Sequence, residues 1–424
     1  MGAELEYGLR AGASYSDNVD RVPDNEQSSG AGILGLDLRG TRETGRLRYD
    51  VYGDLEYRDY FEKDIDSQEF GRLIAQTSYA FVPDAFDWLL SGSFDQVRED
   101  LLRPVAPDNL ENVITFSTGP RATARFGDTV EAQGEAHYTV ANYSERDFDS
   151  NTAGGSVTLG RRMSERSYIG LGASYDDVTY DVARGVIAPD YERYEYFLRF
   201  NTEGARTTFE ADAGYTQIKG VGIEDDGPMA RARLTRRLTP YVSGFLAYTR
   251  EFPTSSDASF TPTPEQGDVV GDSSVLTPAP RENESAEIGL TMTRPRTSAL
   301  LAFARRSEAT VGLGGESRDY DEINASFSRL ITTRSSFGLY AIHTKEKLDD
   351  VIVDPLAPPV DADAKETAIG ANLSLAFGRA VSVEVRIEHR DRDSDVGLEY
   401  KELSGGIFLR YGSARQQGQA GAGL

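Results

Sequence analysis

The sequence predicts an all-β protein: a closed antiparallel transmembrane β-barrel of about 20 strands, with 18 strands as the second choice. Three observations support this prediction. Apolar and charged residues alternate with a period of two, the alternating segments are long, and short turns alternate with long acidic loops between them. Outer-membrane barrels combine these features, with short periplasmic turns and longer extracellular loops. We therefore expect the protein in the outer membrane of a Gram-negative bacterium.

The two-residue period is clearest in residues 46–60. Leu47 and Leu55 fall on one parity of this segment, whereas Arg48 and Asp54 fall on the other. Because successive side chains of a strand point to opposite faces, the segment has one apolar and one charged face. We expect the apolar face to contact lipid and the charged face to line a hydrated lumen.

The alternating segments reach roughly 11–15 residues, longer than the usual globular strand of about five or six. Turn-forming residues separate them, as in Pro83-Asp84 and Gly127-Asp128. In chain order, the pattern predicts strands near residues 4–16, 30–39, 46–60, 70–81, 86–97, 112–126, 129–143, 151–161, 167–180, 192–202, 206–218, 228–238, 240–252, 282–293, 298–311, 318–330, 335–347, 364–377, 380–393 and 399–411. Residues 1–411 are therefore expected to form one barrel, and residues 412–424 a flexible tail.

The composition excludes several classes of function. The 424 residues include 45 basic and 69 acidic side chains, which gives a net charge of −24, and no cysteine. The missing cysteines exclude disulfides and thiolate metal sites, and the acidic balance argues against a nucleic-acid partner. No apolar run approaches the roughly 20 residues of a spanning helix. Residues 1–3 lack the features of a signal peptide, so we expect one to have been removed.

Charged residues on the inward parity are the candidate pore-lining residues. One interpretation is a polar wall that guides a hydrated chain; the other is that opposite charges pair across strands and brace the wall. A net acidic lumen would favour neutral or cationic substrates over polyanions. The candidates are Arg48, Asp50, Asp54, Glu56, Arg58, Glu131, Glu135, His137, Arg199, Glu210, Asp212, Arg231, Arg233, Glu384, Arg386 and Glu388.

The acidic stretches are expected to be solvated extracellular loops. They lie near residues 17–26, 99–111, 147–149, 224–226 and 349–363, and none has the spacing of a calcium-binding loop. Residues 253–280, rich in Pro, Ser and Thr, are either an inward-folded constriction or a surface loop. We expect no metal site and no cofactor.

The histidines give little support for an enzyme. His343 and His389 fall on the lipid-facing parity, but no serine with an orienting Asn or Asp accompanies them at strand spacing. No phosphate loop or nucleophile elbow is present either. An outer-membrane hydrolase is therefore the least favoured function, and we expect no enzymatic activity.

The end of the first predicted strand carries a short motif, Tyr15-Ser16-Asp17-Asn18-Val19, followed by Arg21. Tyr15, Asp17 and Asn18 resemble the motif of the β-barrel porin 2 family, whose members are associated with exopolysaccharide export. The resemblance implies an outer-membrane conduit for a secreted polysaccharide, with outer-membrane lipids, the polysaccharide chain and a periplasmic export protein as partners. Asp and Asn also cap turns locally.

Two further functions remain open for a barrel of this size. One is a diffusive porin for small hydrophilic solutes, since barrels of 16–18 strands already enclose an aqueous channel. The other is a structural anchor for a surface assembly, with a blocked lumen.

Overall fold

The computed structural model describes most of the chain. The described residues are 4–43, 45–62, 65–100, 102–106, 109–144, 148–182, 189–254, 280–311, 317–351 and 360–412. Residues 413–424, which make up nearly all of the predicted tail, lie outside this set, as does most of the segment 253–280.

Twenty strands follow one another along the chain, and nearly all begin and end within a few residues of the predicted bounds. They are β1 (Glu4–Ser16), β2 (Ser29–Arg42), β3 (Leu47–Tyr60), β4 (Gln68–Val82), β5 (Phe86–Arg98), β6 (Leu110–Phe126), β7 (Val130–Tyr143), β8 (Phe148–Ser164), β9 (Ser167–Val182), β10 (Tyr191–Glu203), β11 (Thr207–Gly220), β12 (Ile223–Arg237), β13 (Val242–Glu251), β14 (Arg281–Arg294), β15 (Thr297–Thr310), β16 (Ser317–Leu330), β17 (Ser335–Val351), β18 (Val360–Ala376), β19 (Val381–Ser394) and β20 (Tyr400–Gly412).

Each strand pairs antiparallel with its neighbours in the chain, and the first strand pairs with the last. The β1–β20 ladder runs from Gly8 opposite Gly412 to Ser16 opposite Ser404, so the sheet has no free edge. Closure satisfies the backbone polar groups that an open edge would expose to lipid. Among the described residues, no helix is long and apolar enough to cross a membrane.

The connections differ between the two ends of the barrel. At one end every turn has two to four residues, as between Arg42 and Leu47 or between Ser164 and Ser167. At the other end the connections reach the length of the segment between Glu251 and Arg281. The short turns mark the periplasmic end. The first residues of β1 and the last residues of β20 lie at this periplasmic end, since Glu4 lies opposite Thr41 at the β2–β3 turn and Gly412 lies opposite Gly8.

The two faces of the wall have opposite character, as the alternation predicts. Leu34, Leu171 and Ile407 are 61–65% exposed on the outside. Ile33, which precedes Leu34, and Phe408, which follows Ile407, are 0–2% exposed and face inward. Outward apolar side chains and an inward polar network place this barrel in the outer membrane. The predicted fold class and localisation are therefore confirmed.

Some residues expected in loops belong to strands. Glu224–Asp226 lie in β12, because a two-residue turn at Val221 and Gly222 (φ +79°) starts the strand five residues before the predicted position. Asp361 and Asp363 similarly lie in β18. Strands extend past the bilayer at the extracellular end, where both faces can be polar, so the apolar alternation fades before the strand does.

Candidate functional site: the lumen and its extracellular closure

On the inner face of β1–β3, one buried arginine holds two carboxylates. Arg10 donates to Asp54 Oδ1 at 2.7 Å and lies 3.2 Å from Glu56 Oε2, while Arg58 donates to Glu56 Oε1 at 2.6 Å. Arg10 crosses over Gly35 of β2, where an added Cβ would lie 2.6 Å from its Nε. The glycine therefore leaves space for a bridge that spans two strands.

A second arginine connects this group to the last strands. Arg410 Nε lies 3.3 Å from Glu384 Oε2, and its NH2 lies 3.2 Å from Asp37 Oδ2. Arg386 donates to the other oxygen of Glu384. Asp37 in turn lies 4.0 Å from Arg10. The ion pairs thus continue around the inside of the wall across the β1–β20 closure.

The same network continues along β17–β19. Arg390 donates to Glu388 and, at 3.0 Å, to Glu366 of β18. Tyr340 of β17 donates to Glu388 as well. Arg392 lies 3.7 Å from Glu366. Each carboxylate here has a cation or a hydroxyl beside it, as the bracing interpretation expects.

This part of the wall is neutral in formal charge. Six arginines face six carboxylates, so the sum is 6 − 6 = 0, although the whole chain carries −24. The excess negative charge therefore lies elsewhere in the molecule. The members are Arg10, Arg58, Arg386, Arg390, Arg392 and Arg410 with Asp37, Asp54, Glu56, Glu366, Glu384 and Glu388.

The opposite side of the barrel has further pairs. Arg199 makes two hydrogen bonds of 2.8 Å to the carboxylate of Asp212. Arg231 donates to Glu251 and lies 3.4 Å from Glu195. These contacts join strands β10 to β13.

His137 has a partner that the sequence did not suggest. Its Nε2 lies 3.0 Å from Oδ1 of Asp176 on β9, two strands away. Gly154 of β8 lies between them, and a Cβ there would be 2.1 Å from Asp176 Oδ1. Arg193 also contacts Asp176, at 2.7 Å.

The remaining candidate residues lie in the periplasmic halves of their strands. Glu131 pairs with Arg125 at 3.2 Å and with Arg162 at 3.5 Å. Arg48 and Asp50 are exposed. Glu135 lies opposite Arg121 in the β6–β7 register, and Glu210 lies opposite Arg233 in the β11–β12 register.

At the extracellular end, β5 and β6 leave the wall. The last β4–β5 pair joins Leu73 to Phe94, but β5 continues to Arg98. Gln96 fills the resulting gap: it donates to Glu69 O at 2.6 Å and accepts from Gly71 N at 3.1 Å. We call residues 95–113 the inward hairpin; within it, residues 101, 107 and 108 lie outside the described part.

The connection within the inward hairpin is held by one buried side chain. Asn109, which is 0% exposed, donates to Asp100 O at 2.9 Å and to Pro104 O at 3.0 Å, and accepts from Asp100 N at 2.8 Å. Glu111 is also 0% exposed. The expectation of a solvated acidic loop at residues 99–111 is therefore wrong for these residues, because the segment folds on itself and against the wall.

The inward hairpin reaches across the lumen. Arg98 of β5 makes hydrogen bonds of 2.8 and 3.4 Å to Glu346 of β17, which also accepts from Arg318 at 2.6 Å. Strands β5 and β17 are eight strands apart in one direction around the ring and twelve in the other. The contact therefore joins nearly opposite sides of the barrel.

The tip of the hairpin packs against the far wall. Leu102 lies in a cluster with Leu348 of β17 and Ala362 of β18. Its carbonyl accepts from Arg392 at 3.2 Å, and the carbonyl of Val105 accepts from Arg21. Apolar packing and two hydrogen bonds from arginine side chains to main-chain carbonyls thus fix the hairpin across the extracellular opening.

The motif residues lie at the β1–β20 closure. Asp17 exchanges two hydrogen bonds with Leu403: its N donates to Leu403 O at 3.2 Å, and its carboxylate accepts from Leu403 N at 2.7 Å. Asn18, fully buried, donates to Lys401 O at 3.1 Å and to Val22 O at 2.9 Å. Tyr15 lies on the outside, opposite Gly405. Asp17 and Asn18 therefore extend the closing ladder and order the connection that follows.

Arg21, which follows the motif, links this closure to the inward hairpin. It donates to Glu402 at 2.8 Å as well as to Val105 O. Burial lowers the pKa of the guanidinium, but the negative charge of neighbouring groups, with Glu402 making the largest contribution, more than offsets this effect, so the pKa lies above its ordinary value. Arg21 therefore stays charged and holds both partners.

Phe252, which directly precedes the segment 253–280, is buried against the wall. Phe252 is 2% exposed in a cluster with Val178 and Ile218, and its carbonyl accepts from Arg193 at 2.8 Å. Residues 255–279, on which the predicted constriction depends, lie outside the described part.

The histidines considered for catalysis have ordinary partners. His343 Nδ1 lies 2.9 Å from Thr367 Oγ1, and His389 Nδ1 lies 3.1 Å from the carbonyl of Glu402. Within the described residues, no group of three or more His, Asp or Glu side chains is arranged to hold a metal ion.

The closed wall, its outward apolar face and its inward polar network define an outer-membrane β-barrel. No protein-family model and no curated protein matches the sequence. The chain is similar in structure to the siderophore receptor PirA from Pseudomonas aeruginosa (TM-score 0.45, 12% identity, 96% of this chain and 80% of that one). It is also similar to the FrpB iron transporter from Neisseria meningitidis, F5-1 variant in its apoprotein form (0.48, 9%, 96% and 81%), and to PirA from Acinetobacter baumannii (0.48, 9%, 96% and 80%).

Proposed function

We propose that this protein is an outer-membrane conduit for an exported polysaccharide, and that the inward hairpin closes its extracellular end at rest. The observation that carries the proposal is the contact of Arg98 with Glu346 across the opening. A ring of 20 strands spaced about 4.8 Å apart and tilted by about 40° has a backbone diameter of about 40 Å. A cylinder of this width needs a closure, and the hairpin supplies one.

The chemistry of the wall supports a polyhydroxylated substrate. A sugar polymer needs many weak hydrogen-bond partners and no deep pocket in which it would be trapped. The network from Arg10 to Glu388 offers paired guanidinium and carboxylate groups with no net charge. The resemblance of the Tyr15 to Asn18 motif to the porin 2 family supports the same substrate class. We propose that transport is passive and that the barrel has no catalytic role.

The contacts that hold the hairpin are of a kind that a sugar chain can replace. Arg21 and Arg392 donate to the carbonyls of Val105 and Leu102. Sugar hydroxyls are acceptors of the same kind, so an arriving polymer can take over these donors while the hairpin moves aside. Opening then leaves neither of these two guanidinium groups without a partner, which reduces its cost.

A second candidate function is a diffusive porin for small hydrophilic solutes. The inward hairpin favours it too, since a segment across a wide barrel narrows the passage to a size that excludes polymers. The two functions differ in whether the hairpin moves. A conduit requires displacement of the hairpin, whereas a porin requires a fixed constriction.

A disulfide lock separates these functions, because the chain has no cysteine of its own. Leu102→Cys and Leu348→Cys, whose side chains share one cluster, would join the hairpin tip to the far wall. In proteoliposomes, we expect the oxidised double variant to block dextran passage and the reduced variant to allow it. The control is Thr208→Cys with Thr235→Cys, a pair that faces across β11 and β12.

Two results would contradict the conduit. Dextran passage that is absent in both redox states, with free passage of small sugars, would assign the barrel to the porin class. Equal dextran passage in the locked and reduced forms would show that the hairpin is not the closure.

A further inference from the structure

Four consecutive periplasmic turns are strongly basic. With two flanking residues on each side, the turns β12–β13, β14–β15, β16–β17 and β18–β19 contain seven arginines and no carboxylate, in a chain of net charge −24. All seven are exposed, and none has an ion pair with another described residue. We call this set the basic arc: Arg236, Arg237, Arg294, Arg296, Arg329, Arg334 and Arg379.

The other half of the periplasmic end differs. There the arginines have carboxylate neighbours: Arg125 and Arg162 both pair with Glu131, and Arg121 pairs with Asp87 at 2.9 Å. The basic arc is therefore a property of one side of the barrel and not of periplasmic turns in general.

Three arginines of the arc lie at the ends of lipid-facing rows. Arg236, Arg294 and Arg329 have the parity of the outward side chains of β12, β14 and β16, which include the exposed Leu290 and Ile323. Two residues before each arginine, on the same face, lies an apolar side chain: Leu234, Met292 and Phe327. The positive charges thus begin where the apolar surface ends.

The arc also lies at the level of lipid headgroups. Its turns have only two to four residues, so they project little beyond the strands. Exposed apolar side chains surround the arginines: Phe377 is 68% exposed, Ile331 55% and Tyr241 50%, and the Tyr241 ring lies 5.5 Å from the Arg294 guanidinium. Aromatic side chains of this kind mark the bilayer interface. A soluble protein would have to reach into that interface to contact the arc.

We propose that Arg236, Arg294 and Arg329 bind the phosphate groups of anionic phospholipids in the periplasmic leaflet. A guanidinium matches a phosphate with two parallel hydrogen bonds, and basic residues next to a membrane attract anionic lipid. The three arginines lie on every second strand, roughly 10 Å apart, so each can hold a separate lipid. The arginines within the turns strengthen the local positive field.

Lipid retention tests this assignment. The detergent-purified protein is incubated with equal amounts of phosphatidylglycerol and phosphatidylcholine, and the bound lipids are counted by native mass spectrometry. We expect at least about a fivefold preference for phosphatidylglycerol, and its loss in the triple variant R236Q/R294Q/R329Q. The control R125Q/R162Q/R166Q removes the same charge from the other half and should keep the preference.

Three results would overturn the proposal. The first is a wild-type protein with no preference, a result that needs no variant to fold. The second is equal loss in the two triple variants, with heat-modifiable migration on gels showing that both are folded. The third is tight binding of a soluble anionic polysaccharide to the arc without any lipid preference, which would assign the arc to a soluble polyanion.

Discussion

Individual glycines decide which charges can meet inside this barrel. Gly35 and Gly154 each lie on a strand between two partners, and the contacts of Arg10 and His137 with their carboxylates cross directly over them. A side chain on the middle strand would fill the space through which Arg10 or His137 reaches its carboxylate. Antiparallel neighbours contact each other by default, but a bridge over a whole strand needs a position without a Cβ.

Replacing Gly154 should therefore destabilise the barrel. An added Cβ would lie 2.1 Å from Asp176 Oδ1 and 2.5 Å from the carbonyl of Tyr175. We expect Gly154→Ala to lower the free energy of unfolding by about 1–3 kcal/mol, measured by urea titration in detergent micelles. Gly134→Ala is the control, since nothing lies within 4 Å of a Cβ there. Equal midpoints for both variants would count against the steric explanation.

Arg21 provides a residue-scale test of the closure. Arg21→Ala removes the donor to Val105 and leaves the Glu402 carboxylate without its buried partner. The Glu402 pair does not involve the inward hairpin, so its loss affects the open and closed states alike, whereas loss of the hydrogen bond to Val105, about 1.5–3 kcal/mol for a charged donor, weakens only the closed state. We expect frequent large-conductance openings in planar bilayers. Arg21→Lys keeps the charge and should show fewer openings; a closed Arg21→Ala channel would argue against the link.

At the scale of elements, the strands were predictable and the inward hairpin was not. The alternation of residues such as those in 46–60 identifies a strand locally, because one side chain after another must face lipid or water. The fold of residues 99–111 depends on partners far along the chain: Arg98 meets Glu346, 248 positions away. A run of acidic residues gives no indication of such a contact, so the segment looked like a solvated loop.

Asn109 is the expected centre of the inward hairpin. In Asn109→Ala, the carbonyls of Asp100 and Pro104 lose their donor, at about 1–3 kcal/mol for each buried group left unsatisfied. Hydrogen–deuterium exchange should then accelerate in residues 99–106 and stay unchanged in β11 and β12. Asn109→Asp keeps the acceptor for Asp100 N and should have an intermediate effect. Unchanged exchange in the alanine variant would mean that packing of Leu102 alone holds the hairpin.

At the scale of the whole molecule, the sequence revealed the closed ring but not the distribution of its charge. The strand count and the turn pattern together define a barrel. The net charge of −24 left open whether the excess acidic residues lie in the lumen or in the loops; the network from Arg10 to Glu388 is balanced and the basic arc is positive. The net charge of the chain does not show where each charged side chain lies. That position depends on which face of its strand the residue occupies and on how the strands are paired.

This distribution predicts weak, salt-dependent ion selectivity. Because the network from Arg10 to Glu388 is neutral, we expect the acidic extracellular end to be the main source of the electric field in an open channel. We expect a reversal potential that indicates cation preference near 0.1 M KCl and almost none at 1 M, because the Debye length falls from about 10 to about 3 Å. The reduced form of the Leu102→Cys, Leu348→Cys variant is suited to the measurement. Anion preference at low salt would contradict the charge placement.

The ladder between β1 and β20 also has a consequence for biogenesis. Asp17 and Leu403 are hydrogen-bonded at this ladder although they are 386 positions apart in the sequence. Nineteen strands can therefore be synthesised and inserted before the last strand is available to close the ring. Until then the growing sheet has two unpaired edge strands, which an assembly factor must shield. A chain truncated before Tyr400 would lack β20 and could not form the closing ladder with β1, even if all its other hairpins were correctly paired.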